Sequence, residues 1–580
     1  MRAERVGGWP RPQRGWLSSS WFPALLFLCT LWTLAIAQSI YSMLAANPNF
    51  LGVRLSSNGQ LLALVAVFNL LPPLLLFLVW LVLHFLREQW GRGFLGLVAA
   101  ALLLLLFWQA HNLYLGARWH NLANSYLLWI LPAALLGLAC YRSPQAVRSF
   151  AFVASPIMIL LPVAFLGRSW STHVEFVAGA ETALREAVTR AAPSERPAIF
   201  LLLFDELSLP VLLDEHGQID GQSYPHFQQL TRQSTWFRQA TANGDFTNNS
   251  LPTLLTGNLP RSGGLNPRTY PENLFTLLEP HYQLFVYETW SKFCRPDRYH
   301  CLRDTDRLEA SNAAFLLDVF YLFAVRTVPR GVNLQLPDVR KNWGFFHNPR
   351  VAVELALRRF EKFLETVAAL EQPRGVFVFF HNSLPHSPYW VTPSGEIQEG
   401  EPAAFDPGQR GAPAQVNAVL VRYKDQVRFV DAELGRFLDL LRKRGLYDAS
   451  LVIVTSDHGV SYDARAPGRD LVVVEGRALN AEPLLRVPLF IKRPFQRDGI
   501  VSDREVQLID MMPTVAEVVG VEVPWTGAGR SVFSPTAEPR NRVAFDRRLR
   551  RYDFPADPRQ GWRVLQKDVN ALGKNTEEPE

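Results

Sequence analysis

Long apolar runs are concentrated in the first 170 residues of this 580-residue chain. Five of them reach or approach the roughly 20 residues that a helix needs to cross a bilayer. The fourth is the shortest, and the first is too long, and followed by too many others, to be a cleaved signal peptide. We therefore predict that residues 1–170 form a transmembrane bundle of about five helices. The runs are approximately Trp21–Leu44, Leu61–Leu86, Phe94–Leu115, Ser125–Cys140 and Phe150–Gly167.

Basic residues are distributed unevenly around these runs. The N-terminal tail has four arginines and the loops after the second and fourth runs have two each, whereas the two opposite loops carry only Arg54 and Arg118. Loops rich in Lys and Arg tend to stay in the cytoplasm. The pattern predicts a cytoplasmic N-terminus, and five crossings then place everything after Gly167 outside the cytoplasm. Because this placement depends on an odd number of helices, one miscounted helix would invert it.

A different pattern begins after the last apolar run. Residues Ser171–Ala192 carry apolar side chains at roughly helical spacing, which predicts a juxtamembrane helix and linker over residues 171–194 that ends at Pro193 and Pro197. The chain then alternates strand-like and helix-like segments, which is typical of an α/β domain whose mostly parallel sheet is flanked by helices. The predicted strands are Ile199–Phe204, Gln283–Tyr287, Val376–Phe380, Leu451–Thr455 and Leu489–Ile491, and the predicted helices are Phe227–Gln233, Pro252–Leu255 with its continuation, Val351–Leu370, Val416–Arg444 and Leu508–Val519.

Two later segments interrupt or follow this pattern. Ala313–Val328 is unusually apolar, but Asp318 and Arg326 argue against a sixth crossing. It is either a helix of the domain core or a helix that enters the outer leaflet. Beyond Pro535 the chain is rich in Arg and ends in an acidic cluster, which predicts a loosely packed C-terminal extension over residues 536–580. The main domain is therefore expected to span residues 195–535.

The net charge and the cysteine content do not change the predicted domain organisation. A net charge of +6 would suit a nucleic-acid partner, but arginine-rich cytoplasmic ends of a membrane protein give the same bias, and no clustered basic stripe is present. Cys294 and Cys301 lie close together in a polar loop beside His300. Outside the cytosol they would form a disulfide, whereas a zinc site, the alternative, lacks further Cys or His at ligand spacing.

Polar side chains follow two of the predicted strands, at the point where a parallel sheet opens onto a site. Asp205 and Glu206 follow the first strand, Asp457 and His458 follow the fourth, and Thr247 lies in a loop between them. Two carboxylates, a hydroxyl and an imidazole suit zinc or manganese better than calcium. A metal beside Thr247 would lower the pKa of its hydroxyl, which could then attack a tetrahedral phosphorus or sulfur centre.

Two of these assignments have alternatives. Glu206 is a further metal ligand, a partner that orients the ligands, or a cap for the following helix. Thr247 or Asn249 would cap the helix that follows, which is compatible with a nucleophilic Thr247. The N–H groups at that helix N-terminus would bind phosphoryl oxygens, and we assign Asn248 and Asn249 to substrate binding.

These segments together resemble the alkaline-phosphatase/sulfatase superfamily. The resemblance covers residues 195–525 and is closest to the membrane-anchored phosphoethanolamine transferases and lipoteichoic acid synthases, in which a five-span anchor carries an extracytoplasmic catalytic domain. It implies an alkaline-phosphatase-like α/β domain and a location in the bacterial inner membrane. The matching residues are Asp205, Thr247-x-x-Ser250-Leu251-Pro252, Leu254-Leu255-Thr256-Gly257 and Ser456-Asp457-His458-Gly459.

The resemblance also assigns roles to His386 and His381, which follow the third strand. It implies that His386 contributes to substrate binding or to a second metal, and either histidine would stabilise the equatorial oxygens or protonate the leaving alkoxide. Two departures weaken the match. Residues 460–494 contain no His, where these transferases usually supply one, and the first strand ends in Asp205, where the phosphoethanolamine transferases have Glu.

A contrast with the sulfatases argues against one reaction mechanism. In the resembling sulfatases a Cys or Ser that becomes formylglycine aligns with Thr247, and an essential Arg aligns with Leu251. Threonine cannot become that aldehyde, and Leu251 cannot stabilise it. Hydrolysis of sulfate esters by that mechanism is therefore not expected.

We thus expect a membrane-bound, metal-dependent transferase. It would move phosphoethanolamine or phosphoglycerol from a phospholipid to an envelope glycan or lipid through a phospho-threonine at Thr247. The first alternative is a membrane hydrolase that uses the same site with water, as a phosphatase, phosphodiesterase or sulfuric ester hydrolase. The second is a non-catalytic envelope-assembly protein, which the missing histidine supports.

Overall fold

The computed structural model describes residues 21–46, 58–114, 127–177, 195–262, 265–288, 291–295, 298–302, 312–327, 350–370, 374–400, 413–535 and 539–568. The chain divides into two compact units. The first unit contains the N-terminal helices and a later helical segment, and the second contains most of the chain from residue 178 onward.

The first unit is helical and apolar. Four stretches are long and apolar enough to cross a membrane, namely Trp21–Ala45, Leu61–Leu86, Glu88–His111 and Pro144–Ser169. The fourth predicted run instead forms a shorter apolar helix, so the described residues contain four candidate spans rather than five. The helices are α1 (Trp21–Trp32), a π-helical segment (Thr33–Ala37), α2 (Gln38–Ala46), α3 (Asn58–Leu86), α4 (Glu88–Tyr114), α5 (Leu127–Arg142), α6 (Pro144–Ala154) and α7 (Ile157–Val177).

Large apolar side chains cover the outside of these helices as well as the inside. Leu28 and Leu44 are fully buried between helices, whereas Leu75 on α3 is 54% exposed. A helix with apolar side chains on all sides is more stable in a lipid bilayer than in water. Of the predicted juxtamembrane helix, residues up to Val177 continue α7, and the remainder lies outside the described residues.

The second unit is a mixed α/β domain with the predicted sheet. Its eight strands lie in the order β10-β2-β9-β6-β1-β5-β3-β4, and every neighbouring pair is parallel except the two pairs made by β9. All five predicted strands are confirmed, and β2, β4 and β10 were not predicted. The strands of this sheet are β1 (Ile199–Phe204), β2 (Thr235–Thr241), β3 (Gln283–Tyr287), β4 (His300–Leu302), β5 (Val376–Asn382), β6 (Leu451–Ser456), β9 (Leu489–Lys492) and β10 (Ile500–Gln507). Strands β7 (Val473–Val474) and β8 (Arg477–Ala478), which were not predicted either, form a separate antiparallel pair.

Helices cover both faces of this sheet, and the five predicted helices are confirmed. The helices after α7 are α8 (Leu209–Leu212), α9 (Pro225–Thr231), α10 (Thr247–Thr256), α11 (Leu274–Leu278), α12 (Asn312–Thr327), α13 (Arg350–Ala369), α14 (Pro413–Lys443), α15 (Ala481–Leu485) and α16 (Met511–Val519), with 3₁₀ turns at Leu508–Asp510 and Pro558–Gln560.

Strand β1 shows how the sheet is held between its helices. Its side chains alternate, so that Leu201 packs in the apolar cluster that contains α10, and Leu202 packs in the opposite cluster that contains α14. All six of its residues are fully buried. Each such side chain stabilises the fold by roughly 1.5–3 kcal/mol. The continuous apolar sequence of a parallel strand follows from burial on both faces and fixes where the strand must end.

The packing of helix α12 argues against one of the two interpretations of the apolar stretch 313–328. It groups with the first unit, and its Phe315 and Val319 are buried in the same apolar cluster as α1, α2 and α4. It is therefore not a core helix of the α/β domain, although it lies between β4 and β5 in the sequence.

The C-terminal residues are more ordered than their composition predicts. Strands β11 (Arg542–Phe545), β12 (Arg551–Phe554) and β13 (Gln566–Asp568) form an antiparallel sheet. Phe545, Tyr552 and Phe554 are buried, and Tyr552 and Phe554 join the core of the α/β domain. The prediction of a loosely packed extension is wrong for these residues. Burial of Phe545, Tyr552 and Phe554 stabilises a folded sheet although many arginines lie near them in the sequence.

The predicted disulfide is present. Cys294 and Cys301 are bonded, with their Cα atoms 5.8 Å apart. The bond joins the segment after β3 to β4 at the edge of the sheet. Cys29 and Cys140, in the first unit, are free thiols.

The buried carboxyl group of Glu433, on helix α14 next to β5, makes the stability of the domain depend on pH. The Oε2 atom of Glu433 accepts a hydrogen bond from Asn382 Nδ2 at 2.8 Å, and burial raises the pKa of Glu433 to about 8. The folded state thus binds this proton more tightly than the unfolded state, so stability falls as the pH rises from about 4.5 towards 8. We expect Glu433→Gln to raise the Tm by at least about 2 °C at pH 8 and to leave it unchanged at pH 5.

Thermal unfolding of the detergent-solubilised full chain at the two pH values measures this difference. Asp439→Asn is the matched control, since Asp439 is an exposed acid on the same helix that pairs with Arg442. An equal Tm change at both pH values for Glu433→Gln would show that Glu433 is not the titrating group.

Candidate active site

The ends of three parallel strands bring the polar residues together. In the sheet register, Phe204 at the end of β1 pairs with Asn382 of β5 on one side and with Ser456 of β6 on the other. The residues that follow or precede these positions are therefore neighbours in space. Asp205, His381 and Asp457 all lie at this edge, and all three are fully buried.

These three residues form a candidate metal centre. One ligand atom from each of Asp205, His381 and Asp457 lies within 4.8 Å of the others. Asp457 Oδ1 accepts backbone N–H groups from Glu206 and His458, at 3.2 and 2.8 Å, which fixes the carboxylate. Its other oxygen, Oδ2, is buried and makes no hydrogen bond within the described part of the chain. Two carboxylates and an imidazole fit zinc or manganese.

His381 is placed differently from its predicted role. Its Nε2 atom lies 3.8 Å from Asp205 Oδ2, among the candidate ligands. Burial lowers the pKa of His381 to about 4, so the ring is neutral at neutral pH. A neutral imidazole is the form that binds metals. The structure therefore favours His381 as a metal ligand over His381 as an acid that protonates a leaving group.

His458 connects the ligand group to the candidate nucleophile. Its Nδ1 atom lies 2.9 Å from the carbonyl oxygen of Gly459, which is the arrangement for an Nδ1–H donor. The lone pair on Nε2 then faces Thr247 Oγ1 at 3.3 Å, Asp457 Oδ2 at 3.5 Å and Asp205 Oδ1 at 3.9 Å. The predicted set Asp205, Thr247, Asp457 and His458 is thus brought together, and His381 joins it.

Thr247 is the first residue of α10 rather than its cap. The N-cap residue is Phe246, and no side chain caps this helix end. Asn249 is buried and donates from Nδ2 to the carbonyl oxygen of Asp546 at 2.5 Å, so it braces the loop against the C-terminal sheet. Asn248 is exposed. The backbone N–H of Asn249 donates to the carbonyl oxygen of Phe246 at 2.9 Å. Within the described residues, this leaves the N–H groups of Thr247 and Asn248 to bind an anion at this helix N-terminus.

Glu206 lies beside the metal centre without joining it. Its Oε1 atom lies 3.0 Å from Arg469 Nε and 3.4 Å from His386 Nε2. Its backbone has a φ of 63°, a conformation that costs a non-glycine residue free energy and is concentrated at functional sites. Of the predicted alternatives, the structure favours Glu206 as an orienting partner.

Arg469 is a site residue that the sequence analysis missed. It comes from residues 460–494, where the resembling transferases usually supply a histidine. Besides its ion pair with Glu206, it hydrogen-bonds to His386 Nε2, and its guanidinium lies 5.4 Å from the ring centre of Phe246. Its side chain is 21% exposed, so part of it is accessible to solvent. One arginine in an irregular loop gives no sequence signal.

His386 has a more restricted role than predicted. Its Nδ1 lies 2.6 Å from the carbonyl oxygen of Ser387, and its Nε2 contacts Arg469. Burial, and then the nearby Arg469 charge, lower the pKa of His386 well below its usual value. A neutral ring that donates from Nδ1 has a lone pair, not a proton, on Nε2. In this arrangement His386 orients Arg469 and does not protonate a leaving alkoxide.

A second arginine lies against Phe246. The guanidinium of Arg547, in the chain between β11 and β12, lies 4.7 Å from the ring centre of Phe246. The aromatic rings of Phe246 and His458 are stacked, with their centres 6.3 Å apart. Two cations therefore flank the residue that precedes Thr247. Both are also paired, Arg469 with Glu206 and Arg547 with Asp470 at 3.6 Å.

Replacing Arg469 should weaken substrate capture more than the metal centre. We expect Arg469→Met to lower kcat/KM about 10²-fold, because a charged donor that faces the reacting anion is lost. Steady-state kinetics and metal analysis on the same sample measure the two effects. Arg465→Met is a matched control, since Arg465 lies in the same loop but pairs with Asp463 on the surface. Metal lost together with activity would show that Arg469 has a structural role.

Comparison with known proteins identifies the family of the α/β domain. The sulfatase family profile matches residues 197–521, which is more than half of the chain. Among curated relatives, mouse (Mus musculus) steryl-sulfatase is 35% identical over 109 residues, 18% of each chain. The multifunctional alkaline phosphatase superfamily protein PehA of Trinickia caryophylli is 32% identical over 142 residues, 24% of this chain and 25% of that protein. A lipoteichoic acid synthase of Staphylococcus aureus is 28% identical over 107 residues, 18% of this chain and 16% of that protein.

Solved structures are similar at lower identity. A phosphonate monoester hydrolase of Agrobacterium radiobacter aligns with a TM-score of 0.41 and 15% identity, over 62% of this chain and 88% of that one. The zinc complex of the C-terminal periplasmic domain of EcEptC from Escherichia coli aligns with a TM-score of 0.38 and 14% identity, over 61% and 90%. The matched segments span a quarter or less of each curated relative named above.

Proposed function

We propose a specific reaction for this chain, which belongs to the sulfatase family of the alkaline-phosphatase superfamily and is an enzyme of that superfamily. It transfers a phospho-alcohol group, of the phosphoethanolamine or phosphoglycerol type, from a phospholipid to an envelope glycan or lipid. The reaction passes through a phospho-threonine at Thr247. The observation that carries this proposal is the position of Thr247 Oγ1, 3.3 Å from His458 Nε2 beside the buried ligand group.

The nucleophile distinguishes this chain from a formylglycine sulfatase. A threonine side chain attacks through its own oxygen, whereas the sulfatase mechanism needs an aldehyde made from Cys or Ser. Leu251, where that mechanism would need an arginine, is fully buried in the core cluster that contains α10. The site is therefore built for a covalent ester on Thr247.

Two in-line displacements complete the transfer. Thr247 Oγ1 bonds to the donor phosphorus as the bond from phosphorus to the diacylglycerol oxygen breaks, and the proton lost by Thr247 ends on that oxygen. The acceptor hydroxyl then bonds to phosphorus, the Thr247 ester breaks, and the acceptor's proton returns to Thr247. Arg469 and the N–H groups of Thr247 and Asn248 bind the phosphoryl oxygens throughout.

Asp205, His381 and Asp457 would hold a zinc or manganese ion, with His458 and Thr247 beside it. Such an ion, when bound, supplies positive charge that lowers the pKa of the Thr247 hydroxyl and neutralises charge on the phosphoryl oxygens.

The membrane unit supports a lipid donor. A diacylglycerol leaving group is insoluble in water, so an enzyme tied to apolar helices can release it directly into the bilayer. The lipoteichoic acid synthase among the relatives supports phospho-transfer as the reaction class. The Cys294–Cys301 disulfide supports a catalytic domain outside the cytosol, because disulfides persist in oxidising compartments. We propose that the protein lies in a bacterial inner membrane and that the shorter apolar helix α5 is a fifth crossing, because four crossings would put the N-terminus and the α/β domain on the same side. With five crossings, a cytoplasmic N-terminus agrees with a domain outside the cytosol.

Product analysis tests the proposal. The full chain in proteoliposomes is given phosphatidylethanolamine or phosphatidylglycerol carrying a labelled head group, with and without an envelope lipid acceptor. The proposal predicts diacylglycerol and a labelled acceptor, both absent with Thr247→Ala. Release of the free phospho-alcohol at the same rate with and without acceptor would instead identify a hydrolase.

The hydrolase alternative retains one observation in its favour. Two of the relatives carry names of hydrolytic enzymes or of a multifunctional phosphatase-superfamily protein. The same residues can direct water instead of an acceptor hydroxyl to the phospho-threonine. The two reactions differ only in the second displacement, which the experiment with and without acceptor resolves.

A further inference from the structure

Helix α12 has an arrangement of side chains that water would not favour. The helix, Asn312–Thr327, has 16 residues and a single acidic residue, Asp318. Asp318 is fully buried, on the same side as Phe315 and Val319. On the other side, Leu317 is 41% exposed and Phe320 is 56% exposed. A helix at an aqueous surface shows the opposite order, with charged residues outside and apolar residues inside.

The buried side of α12 packs on helices that are themselves candidate membrane spans. Phe315 and Val319 belong to the apolar cluster of the first unit, and the helix contacts α2 and α4. Exposed leucines and valines, such as Leu75 and Val82 on α3, cover that unit elsewhere. The exposed face of α12 is therefore of the same kind as the faces that a bilayer would cover.

The sheet topology excludes α12 as a further crossing. Strand β1 precedes α12 in the sequence, β5 and β6 follow it, and β1 pairs directly with both. The chain before and after α12 must therefore be on the same side of a membrane. A helix of 16 residues is also only about 24 Å long, shorter than the roughly 30 Å of the hydrocarbon core.

We propose that α12 is an in-plane membrane helix inserted into the sequence of the α/β domain. Its exposed face, with Leu317 and Phe320, lies among the lipid acyl chains near the head groups, and the chain enters and leaves the bilayer from the same side. The domain is thereby attached to the membrane at a second point, far in sequence from α7. This proposal does not depend on whether the enzyme transfers or hydrolyses.

Fluorescence quenching tests the location of the exposed face. A bimane label is attached to Phe320→Cys in a full-length chain that carries Cys29→Ala and Cys140→Ala, reconstituted in phosphatidylcholine vesicles. Leu75→Cys is the lipid control, and Val474→Cys, 45% exposed in the α/β domain, is the aqueous control. Each labelled variant must elute as the parent does in size-exclusion chromatography.

The proposal predicts that doxyl-labelled phosphatidylcholine quenches the Phe320→Cys label as it does the Leu75→Cys label. It also predicts an iodide quenching constant at least about threefold smaller than at Val474→Cys, because the label lies below the head groups. A label quenched by iodide as strongly as the aqueous control would overturn the proposal. A label protected from both quenchers would also overturn it, since a second copy or another protein would then cover this face. Leu317→Cys provides an independent second position on the same face.

Discussion

Replacing Thr247 by alanine is expected to lower the rate of transfer at least about 10³-fold, because the variant lacks the oxygen that forms the covalent ester. Thr247→Ser keeps a hydroxyl at the same position and should retain a measurable part of the activity. The rate of diacylglycerol release from a phospholipid donor in proteoliposomes measures both. Serine rescue identifies the hydroxyl, rather than the volume of the side chain, as the group that matters.

The structure indicates that Thr247→Ala removes the hydroxyl without disturbing the helix that carries it. Thr247 Oγ1 contacts His458 and caps no helix, so its removal leaves the hydrogen bonds of α10 in place. The Tm of Thr247→Ala should stay within a few degrees of the parent protein. An alanine variant that folds and keeps more than a tenth of the parent rate would rule out a covalent role for Thr247.

Replacing Asp457 by asparagine is expected to remove the metal and lower activity about 10²–10³-fold. The asparagine oxygen can still accept the backbone N–H groups of Glu206 and His458, but the negative charge that a divalent cation requires is lost. Metal content per chain, by mass spectrometry of the purified protein, and the rate of transfer measure the two effects. A chelator should inactivate the parent protein, and zinc or manganese should restore it.

The control for this variant is another acid of the same domain. Asp503 is largely exposed and paired with Arg238 at the edge of the sheet, so Asp503→Asn should keep both metal and activity. Stoichiometric metal in folded Asp457→Asn would show that the ligand group has been misassigned.

Much of the site could be predicted because strand ends leave a clear pattern. A parallel strand buried on both faces is a continuous apolar run, and the first polar residues after it mark the edge of the sheet. This pattern predicted that Asp205, Asp457 and His458 lie together at one edge of the sheet, as they do in the structure. The glycine after His458 has a reason that the sequence does not show, since a Cβ atom on Gly459 would lie 2.1 Å from the carbonyl oxygen of Pro483, 24 residues further along the chain.

The residues that were missed depend on long-range contacts. Arg469 reaches Glu206 and His386 from an irregular loop, and Arg547 reaches Phe246 from a region whose composition resembles a tail. Strand β10 contains several charged residues at the edge of the sheet, where one side faces solvent, so its apolar pattern is weak. None of these positions shows a local period or motif.

The roles of the two histidines also required three-dimensional information. His381 and His386 follow the same predicted strand, and the sequence analysis allowed either of them to stabilise the equatorial oxygens or to protonate the leaving alkoxide. In the structure, His381 lies with the metal ligands and His386 lies against Arg469. Which ring nitrogen carries a proton depends on neighbours that are distant in the sequence.

The central claim, a phospho-threonine at Thr247, is tested most directly by mass spectrometry of the intact protein after incubation with phospholipid and without acceptor. The account predicts an added mass equal to phosphoethanolamine or phosphoglycerol, less one water, which peptide mapping locates on Thr247 and which disappears when acceptor is supplied. Unmodified protein that nevertheless releases diacylglycerol, with metal bound, or an adduct on any other residue would contradict it.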